Sequence, residues 1–394
     1  MLIEDRRMTT YKRLGDYIRE VNVRNRELKV TKPMGINIDK HFMPSVANVI
    51  GTDLSTYKLV SRMQFACNLM HVGRDEKIPM AMLTEDKTII VSPAYFVFEV
   101  IESNVLLPQY LMMWFRRKEF DRNAWFYTDA DVRGGMSKEA LLDMQLPIPS
   151  LTRQREIVAE YETLTNRIHL NNQMIQHLEA TAQALYRKTF VDNIDKENLP
   201  EGWRMGTLED LCIINTDNIS SKDSYKEIDY LDSSSVTENQ FDAYQHLIVG
   251  KDEIPSRAKR KVRTDDIVYS TVRPNLKHYG IIKGDVSNVV VSTAFAVIRS
   301  NTPTITNELL YLILTDDAIT EILQGIAEMS KATYPSISPE NIMELKVTLP
   351  QQMDNSFSEL NWSLKKIFDN IAIIHKENKK QTELQSLLLA KMGQ

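Results

Sequence analysis

The sequence predicts an α+β fold: two mixed α/β domains separated by two long helices that pair as an antiparallel coiled coil, the whole built on an internal pseudo-twofold repeat. The first observation behind this is that the chain repeats itself. TIIVSPAYFVFEV in the first half returns as NVVVSTAFAVIRS in the second, with Val91-Ser92 falling on Val291-Ser292, 200 positions later. The second is a further echo at nearly the same offset, SKEALLDMQLPIP from Ser137 against SPENIMELKVTLP from Ser338, closing on Pro149 and Pro350. The third is that each echo runs into a helical stretch with an apolar seam. A fixed repeat period of this kind is the signature of a duplicated architecture.

Each element follows in order along the chain. With 394 residues there is room for two domains of about 150 residues plus helices. The expected boundaries are 1–149 for the first domain, 150–192 for the first long helix, 193–349 for the second domain and 350–394 for the second helix. In the first domain TIIVSPAYFVFEV is β-branched and aromatic, as strands are. LLPQYLMMWFRRKEF has the apolar spacing of a helix, with Met112, Met113 and Trp114 in the core and Arg116, Arg117 and Lys118 at its exposed end.

From Ile157 the apolar positions run Ile157, Tyr161, Leu164, Ile168, Asn171, Ile175, Leu178, Ala182 and Leu185, alternating steps of four and three, which is the heptad signature of a coiled coil. The second domain repeats the strand type in IVYSTV and VVVSTAFAVI and the helix type in NELLYLILTDDAITEILQGIAEM. Its Asp265-Asp266 and Asp316-Asp317 pairs are expected to face solvent, the latter within that helix. The second long helix gives Phe357, Leu360, Leu364, Ile367, Ile371, Ile374 and Asn378. One asparagine in an otherwise apolar seam fixes register at some cost in stability. A helix of about 40 residues is ~60 Å long and would overhang a single domain, so the seams are expected to cover each other rather than pack each on its own domain. The first helix leaves domain one to deliver the chain to domain two, and the second leaves domain two in the equivalent manner, so such a pair is antiparallel.

Composition bounds the function. A hydrophobic fraction of 43% supports real cores, and no apolar run approaches the ~20 residues of a membrane span, so a cytoplasmic protein with no membrane partner is expected. The only cysteines, Cys67 and Cys212, stand one in each half and read as small buried residues rather than a disulfide or zinc framework. Net charge is −5, yet the basic residues cluster. SRAKRKVRTDD holds Arg257, Lys259, Arg260, Lys261 and Arg263, and YSTVRPNLKHYG adds Arg273, Lys277 and His278. The first half offers Arg62, Arg74 and Lys77, then Arg116, Arg117, Lys118, Arg122 and Arg133. A solvated face is the plain reading of any one cluster. Clusters in both halves, in turn-rich segments interleaved with Tyr, Asn, His and Gln, point instead to phosphate and base contacts.

At these residues the chain resembles the specificity subunit of type I restriction-modification systems over nearly its whole length. The resemblance is carried by PSLTRQREIVAEYETLTNRIHLNNQMIQHLEATAQALYRKTF, by LPEGWRMGTLEDL from Leu199 and by DIVYSTVRPNLKHYGI from Asp266. It implies two target-recognition domains that each read half of a split double-stranded DNA site. It also implies helices that separate those domains, and assembly with two methyltransferase subunits and with restriction or motor subunits. Recognition without catalysis follows from that likeness, and neither cofactor nor metal is expected.

Other readings stay open. A structural adaptor built on the coiled coil would leave the basic loops merely solvated. An enzyme of nucleic-acid modification finds little support: the chain lacks an Asn-Pro-Pro-Tyr or Asp-Pro-Pro-Tyr segment, a glycine-rich strand-to-helix turn and a G-x-x-x-x-G-K-[ST] phosphate loop. The seven histidines show no metal-ligand spacing.

Overall fold

The computed structural model describes residues 11–46, 51–70, 72–128, 134–192, 194–220, 222–242, 244–330, 334–351 and 355–393. Two compact units emerge, Met1–His169 with Asn378–Gln394, and Leu170–Glu377. The long helices, Leu151–Phe190 and Asn355–Lys391, are continuous and each contributes a part to both units. They are therefore integral to the two units rather than separate bodies.

In the first unit a four-stranded antiparallel sheet orders Ile18–Glu20, Phe96–Val100, Phe65–Cys67 and Met80–Met82. Side chains alternate across its strands. Phe65, Cys67, Phe96 and Phe98 enter the larger core with Tyr110, Leu111 and Phe115, while Ala66 and Val97 turn to a smaller core with Val60 and Val91. Stacking of Phe65 on Phe98 at 4.9 Å and the edge of Phe115 at 5.9 Å fix that centre. Lys58–Val60 pairs with Ile89–Val91, and Tyr11–Arg13 pairs with Gln145–Pro147.

The second unit repeats this order. Cys212–Ile214, Phe295–Ser300, Ile267–Ser270 and Tyr279–Ile281 form the equivalent sheet, and Trp203–Thr207 pairs with Lys346–Pro350. A second four-stranded sheet, Gln245–Ile248, Glu227–Leu231, Val289–Ser292 and Ala258–Lys261, enlarges the part that in the first unit, among the described residues, is the pair Lys58–Val60 with Ile89–Val91, extended by single bridges from Arg24 and Pro33. Cys67 and Cys212 are both free and buried, and burial raises both thiols.

The echo between the two halves has a structural cause. In each unit the strand before the serine belongs to one sheet and the strand after it to the other: Ile89–Val91 to Phe96–Val100, and Val289–Ser292 to Phe295–Ser300. The serine hydroxyl closes the crossing by accepting the amide of the alanine two residues on, Ala94 to Ser92 at 3.4 Å and Ala294 to Ser292 at 3.3 Å. A short side-chain acceptor at that point offers the backbone a turn in place of a continued strand.

Three expectations are corrected. NELLYLILTDDAITEIL is two helices, Asn307–Leu314 and Asp317–Glu328, because Asp316 caps the second by accepting the Ala318 amide at 3.0 Å. Its counterpart breaks likewise, into Pro108–Phe115 and Lys118–Phe126. Arg117, expected at an exposed helix end, stands at that break and is buried, its guanidinium 4.1 Å from the Trp114 ring centre and 3.5 Å from Glu119. Nor do the aspartates before IVYSTV face solvent. Asp266 is fully buried, takes Arg299 in a two-pronged pair at 2.6 Å on each oxygen, and accepts the Arg263 amide at 2.7 Å. Asp265 joins Glu308 and Asp369 around the Lys283 ammonium, at 2.7, 2.8 and 3.0 Å.

The long helices run antiparallel within each unit. In the first unit Gln385 donates to Thr165 at 2.7 Å, and Val158, Ile157 and Tyr161 share a core with Leu389 and Met392. In the second unit Phe190, near the end of its helix, meets Phe357, near the start of the other, at 5.8 Å. Ile175 and Ala182 share that unit's core with Leu360, Leu364, Ile371 and Ile374. The remaining seam positions, Leu164, Ile168, Leu178, Leu185, Ile367 and Asn378, are half-buried and Asn171 is buried. Tyr186, Phe190 and Phe368 are buried outside the heptad line, because these helices also pack on their unit: Phe368 meets Tyr311 at 5.4 Å.

The Lys283 cluster gives a pH dependence. Burial alone would raise the Asp265 carboxyl, but the Lys283 and Lys365 ammoniums outweigh it and hold it below the ordinary range. Its folded value thus lies below an unfolded ~3.9, so its contribution is complete above about pH 4 and is lost as pH falls through the folded value. Asp265→Asn is expected to cost about 2 kcal/mol in urea unfolding at neutral pH, the scale of a hydrogen bond to a charged group. The gap between variant and wild type should shrink under acid conditions; a gap unchanged at about pH 3 would contradict this origin.

Candidate nucleic-acid interface

In the second unit the Ser292-Thr293-Ala294 turn gathers the basic segments. The Thr293 amide donates to the Arg257 carbonyl at 2.9 Å, and the Thr271 amide and hydroxyl both donate to the Ala294 carbonyl, at 2.8 and 2.9 Å. Arg257 leads into Ala258–Lys261, an edge strand of its sheet, and the loop from Thr271 carries Arg273, Lys277 and His278. The repeated turn therefore ties two stretches that are well apart in sequence to one end of the unit.

Geometry sorts these cations by whether a carboxylate already holds them. Lys261 pairs with Asp223 at 2.9 Å; that ammonium, with the Ser220 amide and hydroxyl, brings the Asp223 carboxyl down to about 2. Arg263 pairs with Asp217 at 2.9 Å, and Lys277 lies between Glu238 at 3.3 Å and Asp317 at 3.2 Å. Nδ1 of His278 lies 2.6 Å from the Val236 carbonyl and 3.2 Å from Thr237 Oγ1. Arg260 is half-buried, its Nε is enclosed without a hydrogen-bond partner, and burial lowers its pKa.

Arg257, Lys259 and Arg273 differ. All three are exposed, and among the described residues none makes an ion pair. Lys259 is pushed out by a register shift between Ala258 and Arg260, a bulge of the kind that re-aims a side chain at a sheet edge. Arg273 holds a left-handed φ of 50°, its amide donates to the Pro335 carbonyl at 2.9 Å, and its guanidinium lies 5.0 Å from the Tyr334 ring centre. For a residue other than glycine that backbone is strained, and such strain gathers at functional loops. Uncompensated surface cations are what a phosphate backbone uses.

The first unit is less uniform. Arg62 is exposed and pairs with Asp86 at 2.9 Å. Lys77 is half-buried, and Arg116 lies 5.9 Å from the ring of Tyr161 in the first long helix. Lys118 and Arg122 are exposed, whereas Arg133 and the side chain of Arg74 lie outside the described residues. Trp125, Phe126 and Tyr127 stand exposed at the end of Lys118–Phe126. Charge-based reading passed over these rings and Tyr334, although bases stack on such faces. The run of three aromatics was the only signal; Tyr334 is recognisable only through its contact with Arg273.

Among the described residues no helix is long and apolar enough to cross a membrane. Residues 200–385 match the model of the type I restriction modification DNA specificity domain. The chain is 29% identical over 153 residues to the type I restriction enzyme HindI specificity subunit of Haemophilus influenzae, an alignment that covers 38% of this chain and about a third, 32%, of that relative's length. Among solved structures, the S subunit of a type I restriction-modification system from M. genitalium shares the fold with a TM-score of 0.61, over 98% of this chain and 96% of that one, at 11% identity. Sequence and fold point the same way: residues 200–385 are similar to the type I restriction modification DNA specificity domain, and the chain shares the fold of the M. genitalium S subunit.

Proposed function

We propose that this chain is the DNA-recognition subunit of its complex, with each unit serving as a target-recognition domain that reads one half of a bipartite double-stranded site. The observation that carries the reading is the repetition of one arrangement in both units: a sheet, a Ser-closed crossing and a broken helix pair. In the second unit exposed cations that make no ion pair among the described residues flank that crossing. Phosphate contacts by Arg257, Lys259 and Arg273 would set register on the duplex, and loop side chains would read base edges. The long helices would set the separation of the half-sites and scaffold two methyltransferase subunits together with restriction or motor subunits. Chemistry would reside in those partners, in the cytoplasm, and recognition in this chain.

A footprint of the assembled complex tests this. Two protected half-sites separated by a spacer are expected, and protection of one contiguous site would overturn the bipartite reading. The adaptor alternative gives no sequence-dependent footprint at all.

The sorting of cations makes a second test. Replacing Arg257 and Lys259 together by alanine is expected to weaken DNA binding and to lower the salt slope by about one for each phosphate no longer neutralised, with the effect confined to one half-site. Lys261→Ala, whose charge Asp223 already compensates, should change the slope by clearly less than one. An equal change per charge removed in the two variants would show that compensation does not decide which cations meet DNA.

A further inference from the structure

A cleft of about 330 Å³ opens in the second unit and is lined by Glu179 and Arg187 of the first long helix, Phe368 of the second, and Lys277, Tyr279 and Tyr311 of the globular part. Its two cations are already held. Lys277 is bound by Glu238 and Asp317, and Arg187 lies 3.3 Å from Asp192. Glu179 is different: it makes no ion pair among the described residues, and it is half-buried. Burial first, and then the charge of Glu238, raises its carboxyl to about 7.

Beside it stands a hydroxyl. Tyr311 is only 7% exposed, and its hydroxyl, which makes no hydrogen bond among the described residues, is open to the cleft rather than enclosed. The Tyr311 ring lies 5.9 Å from Tyr279 and 5.4 Å from Phe368, so aromatic faces line the same space.

A lone carboxylate, an unpartnered hydroxyl and aromatic walls share one complementary ligand class. A hard divalent ion needs several oxygen ligands, and Asp316, the other carboxylate of the lining not engaged in an ion pair, is committed to its helix cap. Phosphate would be repelled. A guanidinium is planar, weakly hydrated, rich in donors and stacks on aromatic faces. A cavity of this size lies at the lower end of the ~300–1,000 Å³ range of small-molecule sites.

We propose that this cleft binds a guanidinium cation, its charge against Glu179, one N–H donated to the Tyr311 hydroxyl and its stem along Tyr279 and Phe368. The cation is either the arginine side chain of a partner protein or a free small guanidinium compound. This inference does not depend on how DNA is read.

Agmatine titrated into the full-length chain by calorimetry, at a pH above 7 where Glu179 is ionised, tests it. One saturable site is expected. Glu179→Gln, nearly isosteric, should weaken it about tenfold, equivalent to 1.4 kcal/mol, and Tyr311→Phe should weaken it less, with the thermal midpoint of each variant checking that the fold persists. Absence of saturable binding by the wild-type chain, or undiminished binding by a folded Glu179→Gln variant, would overturn the proposal. Repeating the titration on the complex purified with its co-expressed partners separates the sources. A cleft closed to agmatine there identifies a partner's arginine, and a cleft still open identifies a free ligand.

Discussion

Everything else in this molecule depends on the apolar packing between two helices that lie far apart in the chain. Phe190 against Phe357, and Leu364 and Ile371 in the core with Ile175 and Ala182, hold together segments that local structure alone would never join. Contacts of such sequence separation must recover a large loop-closure entropy before they stabilise anything. Dense burial makes this possible: Leu364 is fully buried and Ile371 nearly so. The same helices also extend each unit's own core, through Phe368 on Tyr311 in one and through Tyr161 and Leu389 in the other. Loss of the seam would therefore be felt in the globular parts, including the cleft that Glu179 and Phe368 help to line.

Within each unit the next constraint is the crossing between sheets. One hydroxyl at Ser92 or Ser292 closes it, and in the second copy the two residues that follow bind the chain on either side, at Arg257 and at Thr271. A small polar motif in a strand-rich region thus decides where charged loops emerge. Its recurrence at the same place in both halves is a matter of backbone satisfaction first; the candidate interface is built on what that satisfaction positions.

Much of this was legible in the sequence because it is local. The heptad seam and the strand echoes follow from periods of a few residues, and both long helices occupy the stretches those periods mark. The helix break at Asp316 was signalled by a capping residue, yet the apolar spacing continues across it and hides it. What could not be read depends on pairing at a distance. Asp266 is buried because antiparallel register sets Ile267 opposite Ile298, which brings Arg299 to the carboxylate. Density of charge ranked Arg260 and Lys261 with Arg257 and Lys259, whereas what separates them comes from other segments: partial burial for Arg260 and the Asp223 carboxylate for Lys261. Arg117 is withdrawn from the surface by Trp114, a neighbour in sequence whose ring direction depends on the helix break between them.

The central claim, that two repeated units in one chain read two halves of one DNA site, is tested most directly by mapping methylated bases across the host genome with and without this gene. The account predicts a split motif, two short sequences joined by a spacer of constant length, whose methylation disappears when the gene is removed. Loss of methylation at an undivided motif would contradict it.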